Sequence, residues 1–315
     1  MGIEEFTKEL AEKVQAKLNG VEVTPMKNLK NNGVVVHGLT FRREDENVAP
    51  TLYVEQLFDL FKQDSLSIDD ILERIIRTYQ DLPEPNIPDM EEYLTSPELI
   101  NKINVRLLNM KKNRRMIEER NLVFYKVPNT DMVCLFYIKI SSEGDTVGEV
   151  ALSETLMERY LPTFEDAKEL YDEVVSKVSA DKISLEPVAK FANKIIKERG
   201  FDMPPIPLEA NFLHVLTNDT RMFGASVLLT EAGRRLLLER FPNGKLTVLP
   251  SSVHETLILE TEENESVFWL HQMVMEVNAT QLEDVDYLSD NVYHLDANTG
   301  ELVIANNDES EVEEE

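Results

Sequence analysis

The sequence predicts an α+β protein of recurring β-hairpin plus helix units, in two parts joined by a helical and Pro-rich connector. Three observations lead there. Apolar residues recur at helical spacing in some windows and as short β-branched runs in others, and the two kinds alternate. Turn clusters punctuate the runs, among them Asn31-Asn32-Gly33, Pro128-Asn129-Thr130-Asp131 and Ala297-Asn298-Thr299-Gly300. A strand pair followed by a helix recurs near 21–61, 122–160 and 213–241 with no visible repetition of sequence, which reads as recurring architecture.

In chain order, Ile3, Phe6, Leu10, Val14 and Leu18 share one helical face, and Gly20 ends that helix. Val21–Pro25 and Gly33–Arg42 read as strands about the polar loop Lys27–Asn32. Residues 48–62 pass from extended Ala49-Pro50-Thr51 into a helix carrying Tyr53, Leu57, Leu60 and Phe61. Ser67, with Asp70 three residues on, caps a helix over Ile68–Tyr79. Pro83, Pro85 and Pro88 make an extended connector, and Ser96-Pro97-Glu98 opens a helix to Leu107 or beyond. Leu122–Val127 and Met132–Ile140 form the clearest hairpin. Ser153 caps a helix through Tyr160, Thr163 caps a longer one reaching Val178, and another covers Leu185–Lys197.

The stretch 213–260 is densest in signals. Leu213, Val215 and Leu216 start a strand, Thr217-Asn218-Asp219 turns it, and Ala225–Leu229 reads as the returning strand. Thr230 caps a helix from Glu231 to Arg240 that Pro242-Asn243-Gly244 stops. Leu246–Leu249 and Val253–Leu259 supply two more strands around Pro250-Ser251-Ser252. Ser266–Asn278 is helical with Val267, Leu270, Val274 and Val277 inward, and Tyr293–Leu295 with Glu301–Ile304 closes a last hairpin. With Pro204, Pro205 and Pro207 as the best boundary, the expected division is an N-terminal α+β part (1–162), a helical connector (163–207), a C-terminal α+β part (208–305) and a disordered acidic tail (306–315).

Composition bounds the function. Thirty-two basic residues against 59 acidic ones give −27, a field that repels phosphate backbones and anionic membranes, so nucleic acid and membrane are unlikely partners. The exception is the basic segment 102–120, with Lys102, Arg106, Lys111, Lys112, Arg114, Arg115 and Arg120. Those cations first serve to neutralise nearby carboxylates; nucleic-acid contact is the alternative, and the interleaved aromatics of a single-strand binder are missing. One cysteine, Cys134, lies in an apolar run and reads as core in a reducing cytoplasm. The first residues lack a signal peptide's pattern, Gly2 with Thr7 matches a myristoylation start only by coincidence, and no 18-residue apolar run exists.

Several phrases are specific: Asn32-Gly33-Val34 through Leu39-Thr40-Phe41-Arg42-Arg43, Ala49-Pro50-Thr51-Leu52-Tyr53, Leu216-Thr217-Asn218 with Met222-Phe223-Gly224-Ala225, Leu249-Pro250-Ser251-Ser252-Val253-His254-Glu255, Val277-Asn278-Ala279-Thr280-Gln281, and Leu288 through Tyr293. In these the chain resembles a bacterial family defined only as a domain of unknown function, over residues 5 to 300. The strand-helix-strand order of the C-terminal part is loosely similar to a second uncharacterised cytosolic family. The resemblance implies kinship and compartment, and brings no activity, cofactor or catalytic residue.

Chemistry motifs are sparse. His254-Glu255 lacks the second histidine of a metalloprotease helix, the five histidines have no metal-ligand spacing, and no metal is expected. Gly224-Ala225-Ser226 lacks the second glycine of a nucleophile elbow, and no glycine-rich phosphate loop occurs, so no cofactor is expected. What remains is a polar constellation: Thr217, Asn218, Asp219 and Arg221 in one loop, Ser251, Ser252, His254 and Glu255 in another. Turn chemistry accounts for these residue types. The preferred reading is a non-catalytic protein- or peptide-binding module, contacting its partner by a sheet edge or by the Gly33–Tyr53 and Pro250–Glu255 surfaces, with Arg42, Arg43, Tyr53, Asn218 and Arg221 as candidate binding residues. The alternative is a hydrolase-like enzyme using His254 with Asp219 or Glu255, and Ser252 nearby.

Overall fold

The computed structural model describes residues 1–44, 49–82, 88–142, 145–200, 204–207, 212–261 and 267–305. Pro83, Pro85, Asp45, Glu46, Ser266 and the acidic tail lie outside the described residues, with the expectations attached to them. The chain forms two compact units, Met1–Ile87 and Pro88–Glu315. Among the described residues thirteen strands form three antiparallel sheets, so the fold is α+β.

The first unit runs α1 (Ile3–Gln15), β1 (Glu22–Leu29), β2 (Val35–Arg42), β3 (Thr51–Tyr53), α2 (Glu55–Lys62) and α3 (Ile68–Gln80). Its sheet has the order β1-β2-β3. Asn32 and Gly33 both take left-handed backbone (φ 60° and 77°), which reverses the chain between β1 and β2. Phe6, Leu10 and Val14 of α1 bury against Leu39 and Phe41 of β2 and Ile71, Leu72 and Ile75 of α3. The Ser67–Asp70 capping box forms as the spacing predicts.

The second unit contains α4 (Met90–Thr95), β4 (Ile103–Asn109), α5 (Met110–Arg120), β5 (Phe124–Lys126), β6 (Met132–Ser142), β7 (Asp145–Ala151), α6 (Glu154–Tyr160), α7 (Ala167–Ser176), β8 (Ile183–Pro187) and α8 (Val188–Glu198). It continues through β9 (His214–Asn218), α9 (Glu231–Arg240), β10 (Lys245–Leu249), β11 (Thr256–Glu260), α10 (Phe268–Thr280), β12 (Tyr293–Asp296) and β13 (Glu301–Ile304). One sheet has the order β4-β6-β5, with β7 also paired to β6. The other has the order β13-β12-β10-β11-β9-β8, and α10 packs Val267, Leu270 and Val274 against its Leu249 and Leu257.

Several elements differ from expectation, each for a local reason. Ala225–Leu229 is no strand: Gly224–Leu229 is a 3-10 turn, so β9 pairs with β8 and β11, and the third hairpin-plus-helix unit is lost. Gly224 through Leu228 are all buried, and a run buried on every side carries no period to separate strand from helix. The helix expected from Ser96 is a 3-10 turn at Leu99–Lys102 followed by β4, whose Ile103, Val105 and Leu107 are buried at period two. The helix begins only at Met110, where the Asn109 carboxamide accepts the Lys112 N–H. Asp166, not Thr163, caps α7 by accepting the Lys168 and Glu169 N–H groups. The stretch expected as one helix over Leu185–Lys197 divides at Pro187 into β8 and α8, the proline standing at the cap where it loses no helical hydrogen bond. Val277 points outward.

Candidate functional site

The pairing of β9 with β11, Leu216 opposite Thr256, sets the Thr217–Asp219 turn beside Ser252–Glu255. Thr217 Oγ1 donates to the His254 carbonyl at 2.7 Å. The chain then folds Gly224 against both loops: a Cβ there would stand 2.3 Å from Thr217 Oγ1 and 2.6 Å from the Asn218 nitrogen and the His254 oxygen. To reach that position Arg221 and Phe223 adopt left-handed backbone (φ 55° and 52°), strain of order 1 kcal/mol or more each. Two contacts hold Phe223 there. Its N–H donates to His254 Nδ1 at 3.0 Å, and the Arg106 guanidinium lies over its ring at 3.6 Å while also covering Tyr137 at 3.8 Å.

Because Nδ1 of His254 accepts, the ring proton sits on Nε2, which donates to Asp286 Oδ1 at 3.0 Å. Both nitrogens are therefore spent on the chain's own groups. His254 N–H donates to Ser252 Oγ at 3.0 Å, Ser252 N–H to the Glu255 carbonyl at 3.1 Å, and Ser251 Oγ to Glu255 Oε1 at 3.2 Å. The Val253 N–H donates to the Asp286 carbonyl at 2.8 Å, tying the second loop to residues 284–286.

The structure thus brings Ser252, His254 and Glu255 together with the Asn218 turn, and the carboxylate on the imidazole is Asp286 rather than Asp219 or Glu255. Asp219 is exposed, its N–H bonded to the Lys182 carbonyl. Asn218 shapes its own loop: Oδ1 accepts the Met222 N–H at 3.2 Å and Nδ2 donates to the Met222 carbonyl at 2.8 Å. Arg221 forks onto Glu198 at 2.7 and 3.1 Å, and that hydrogen bond draws the Glu198 carboxyl below its ordinary range. Arg42, Arg43 and Tyr53 belong to the first unit. Arg42 is exposed on β2 opposite Glu22, and Arg43 Nε donates to Tyr79 Oη at 3.1 Å. Tyr53 Oη accepts from Asn28 Nδ2 at 3.3 Å with Lys30 over its ring. In the basic segment, Arg106 pairs with Glu149, Arg114 with Glu118 and Arg115 with Glu119.

Two features escaped the sequence reading. Asp131, read as a turn residue, accepts hydrogen bonds from Ser289 Oγ (3.0 Å), Asn109 Nδ2 (3.0 Å) and Tyr293 Oη. Ser289 and Tyr293 are fully buried, and burial first, the nearby Asp131 charge second, push the Tyr293 hydroxyl well above its ordinary pKa, so it stays a donor. This knot fastens the turn before β6 to β12. The second feature is the outer side of α10. Trp269, the sole tryptophan, is 69 % exposed, Met273 42 % and Val277 41 %. Their i, i+4, i+8 spacing makes one stripe about 12 Å long. The inward side was readable in the sequence through Val267, Leu270 and Val274; the exposure of Val277 and the outward stripe it completes were not.

Among the described residues no three His, Cys, Asp or Glu side chains converge as metal ligands, and no helix is long and apolar enough to cross a membrane. Cys134 is fully buried, which raises its thiol pKa and removes it from solution chemistry.

The fold and site define an α+β protein whose polar loops bond to one another and whose helix α10 carries an exposed apolar stripe. A model for a family of unknown function, DUF5688, matches residues 3–297, and the chain belongs to that family. No curated protein and no solved structure matches it.

Proposed function

We propose that this protein acts by binding a protein partner through the outer stripe of α10, in the cytoplasm, and that His254 does no catalysis. The observation that carries this is the exposure of Trp269, Met273 and Val277 on a helix whose only acid or base besides His271 is Glu276. A surface helix ordinarily turns charge outward; one that offers three large apolar side chains at i, i+4 and i+8 has the form of a helix that docks into an apolar groove. Completing the burial of the three is worth roughly 3 kcal/mol, taking about half of the full-burial value for each. Within Pro250–Glu255, a surface expected to meet the partner, Pro250, Ser252 and Val253 are buried, which favours α10 as the contact. A general base must offer a free lone pair, and that of His254 Nδ1 is held by the Phe223 N–H.

The test is a photo-crosslinking amino acid at position 269 in cells that express the protein. A discrete adduct that Met273→Glu abolishes supports the reading. No adduct at 269, or one indifferent to Met273→Glu, refutes it.

A further inference from the structure

A cleft of about 460 Å³ opens in the second unit between the residues leading into β5, helix α6 and the start of α7. Its floor is apolar: Leu122, Phe124, Met157, Leu161 and Phe164. Leu161 is 6 % exposed, while Phe124 at 37 % offers its ring to solvent. Glu154, Glu158, Glu165 and Asp166 also line it, and no lysine or arginine does. Asp166 is committed to capping α7. The other three are exposed, and among the described residues none of their side chains forms an ion pair with a base.

We propose that this cleft is a docking site for a short basic-apolar peptide segment, one large apolar side chain entering between Phe124 and Leu161 while flanking lysines or arginines meet Glu154, Glu158 and Glu165. Charge complementarity selects that occupant. An anionic or zwitterionic lipid surface meets three unpaired carboxylates at the mouth, and a neutral apolar segment leaves them unanswered. An apolar anchor supplies the affinity, and the carboxylates supply orientation, faster encounter and discrimination against acidic sequences. The volume lies within the range of sites that enclose one or two large side chains. The site is separate from the α10 stripe and stands or falls without it.

Fluorescence anisotropy of the labelled peptide Lys-Lys-Leu-Phe-Lys-Lys against the full chain tests this. Binding is expected to saturate at one site and to weaken as ionic strength rises from about 0.05 to about 0.5 M. It should drop at least tenfold in Glu154→Lys/Glu158→Lys, two exposed positions whose replacement leaves the core untouched. Glu5→Lys/Glu12→Lys makes the same change of net charge on α1 and should leave the affinity within about twofold. Equal binding of Lys-Lys-Ser-Gly-Lys-Lys, equal loss in the two double variants, or no saturable binding overturns the proposal. The α10 crosslink at 269 is read in the same Glu154→Lys/Glu158→Lys protein, so failure of the cleft and failure of the stripe are told apart.

Discussion

If His254 is a fastener for the Phe223 loop, replacing it changes stability by an amount set by two hydrogen bonds. Phe223 N–H to Nδ1 is a neutral bond, worth about 1 kcal/mol. Nε2 to Asp286 has a charged acceptor, worth about 1.5–3 kcal/mol, and the lower end applies because the Asp286 side chain is 32 % exposed. His254→Phe removes both and leaves the Phe223 amide without its acceptor, so about 2.5 kcal/mol should be lost. His254→Asn sets an amide oxygen near the position of Nδ1, keeps the Phe223 bond and should lose about 1.5 kcal/mol. Urea unfolding followed by far-UV circular dichroism resolves the two, and a double-mutant cycle with Asp286→Asn isolates a coupling of about 1 kcal/mol. The reasoning is refuted if His254→Phe unfolds within about 0.5 kcal/mol of the parent, or if the cycle shows no coupling.

Three further outcomes follow from the same packing. Tyr293→Phe deletes the buried hydroxyl on Asp131 and Ser289 and should cost about 1–2 kcal/mol, seen as a Tm lower by roughly 2–8 °C in calorimetry. Gly224→Ala drives a methyl into Thr217, Asn218 and His254 and should lose about 2–3 kcal/mol, with hydrogen exchange speeding first at residues 217–224. Burial lowers the pKa of both His214 and His294 from 6.5, with Arg240 adding to the effect at His214. The unfolded chain then binds more protons just below pH 6.5, so stability is full above that pH and is lost as pH falls toward the folded values. Thermal unfolding between pH 7.5 and 5.5 should show this slope, and His294→Phe should flatten it; a Tm that rises on acidification contradicts the assignment.

How much was legible in the sequence depended on whether a segment had a dry and a wet side. Helix α3 was readable to within a residue because Ser67 and Asp70 mark its start and Ile71, Leu72 and Ile75 its inner side. The hairpin before β6 was readable from its turn residues, as were β12 and β13. The Gly224–Leu229 turn was not, since burial on all sides erases periodicity and the left-handed Phe223 that forces it has no sequence mark. Nor was the division of residues 183–198, where one helix was expected over Leu185–Lys197 and Pro187 instead separates β8 from α8. In the site, local bonds were legible: Asn218 curls its own loop and Ser252 supports His254, as turn chemistry requires. Partners distant in sequence were not. Asp286 on His254 is 32 residues away and Ser289 on Asp131 is 158 away, pairings that only the sheet order creates.

The α10 stripe is open to a direct reading because the chain holds a single tryptophan, placed at the stripe's N-terminal end. Protein labelled with 5-fluorotryptophan gives one fluorine NMR resonance from position 269. In extract of its native cells that resonance should shift or broaden relative to buffer, and Met273→Glu should restore the buffer spectrum. A resonance identical in extract and in buffer would contradict the account.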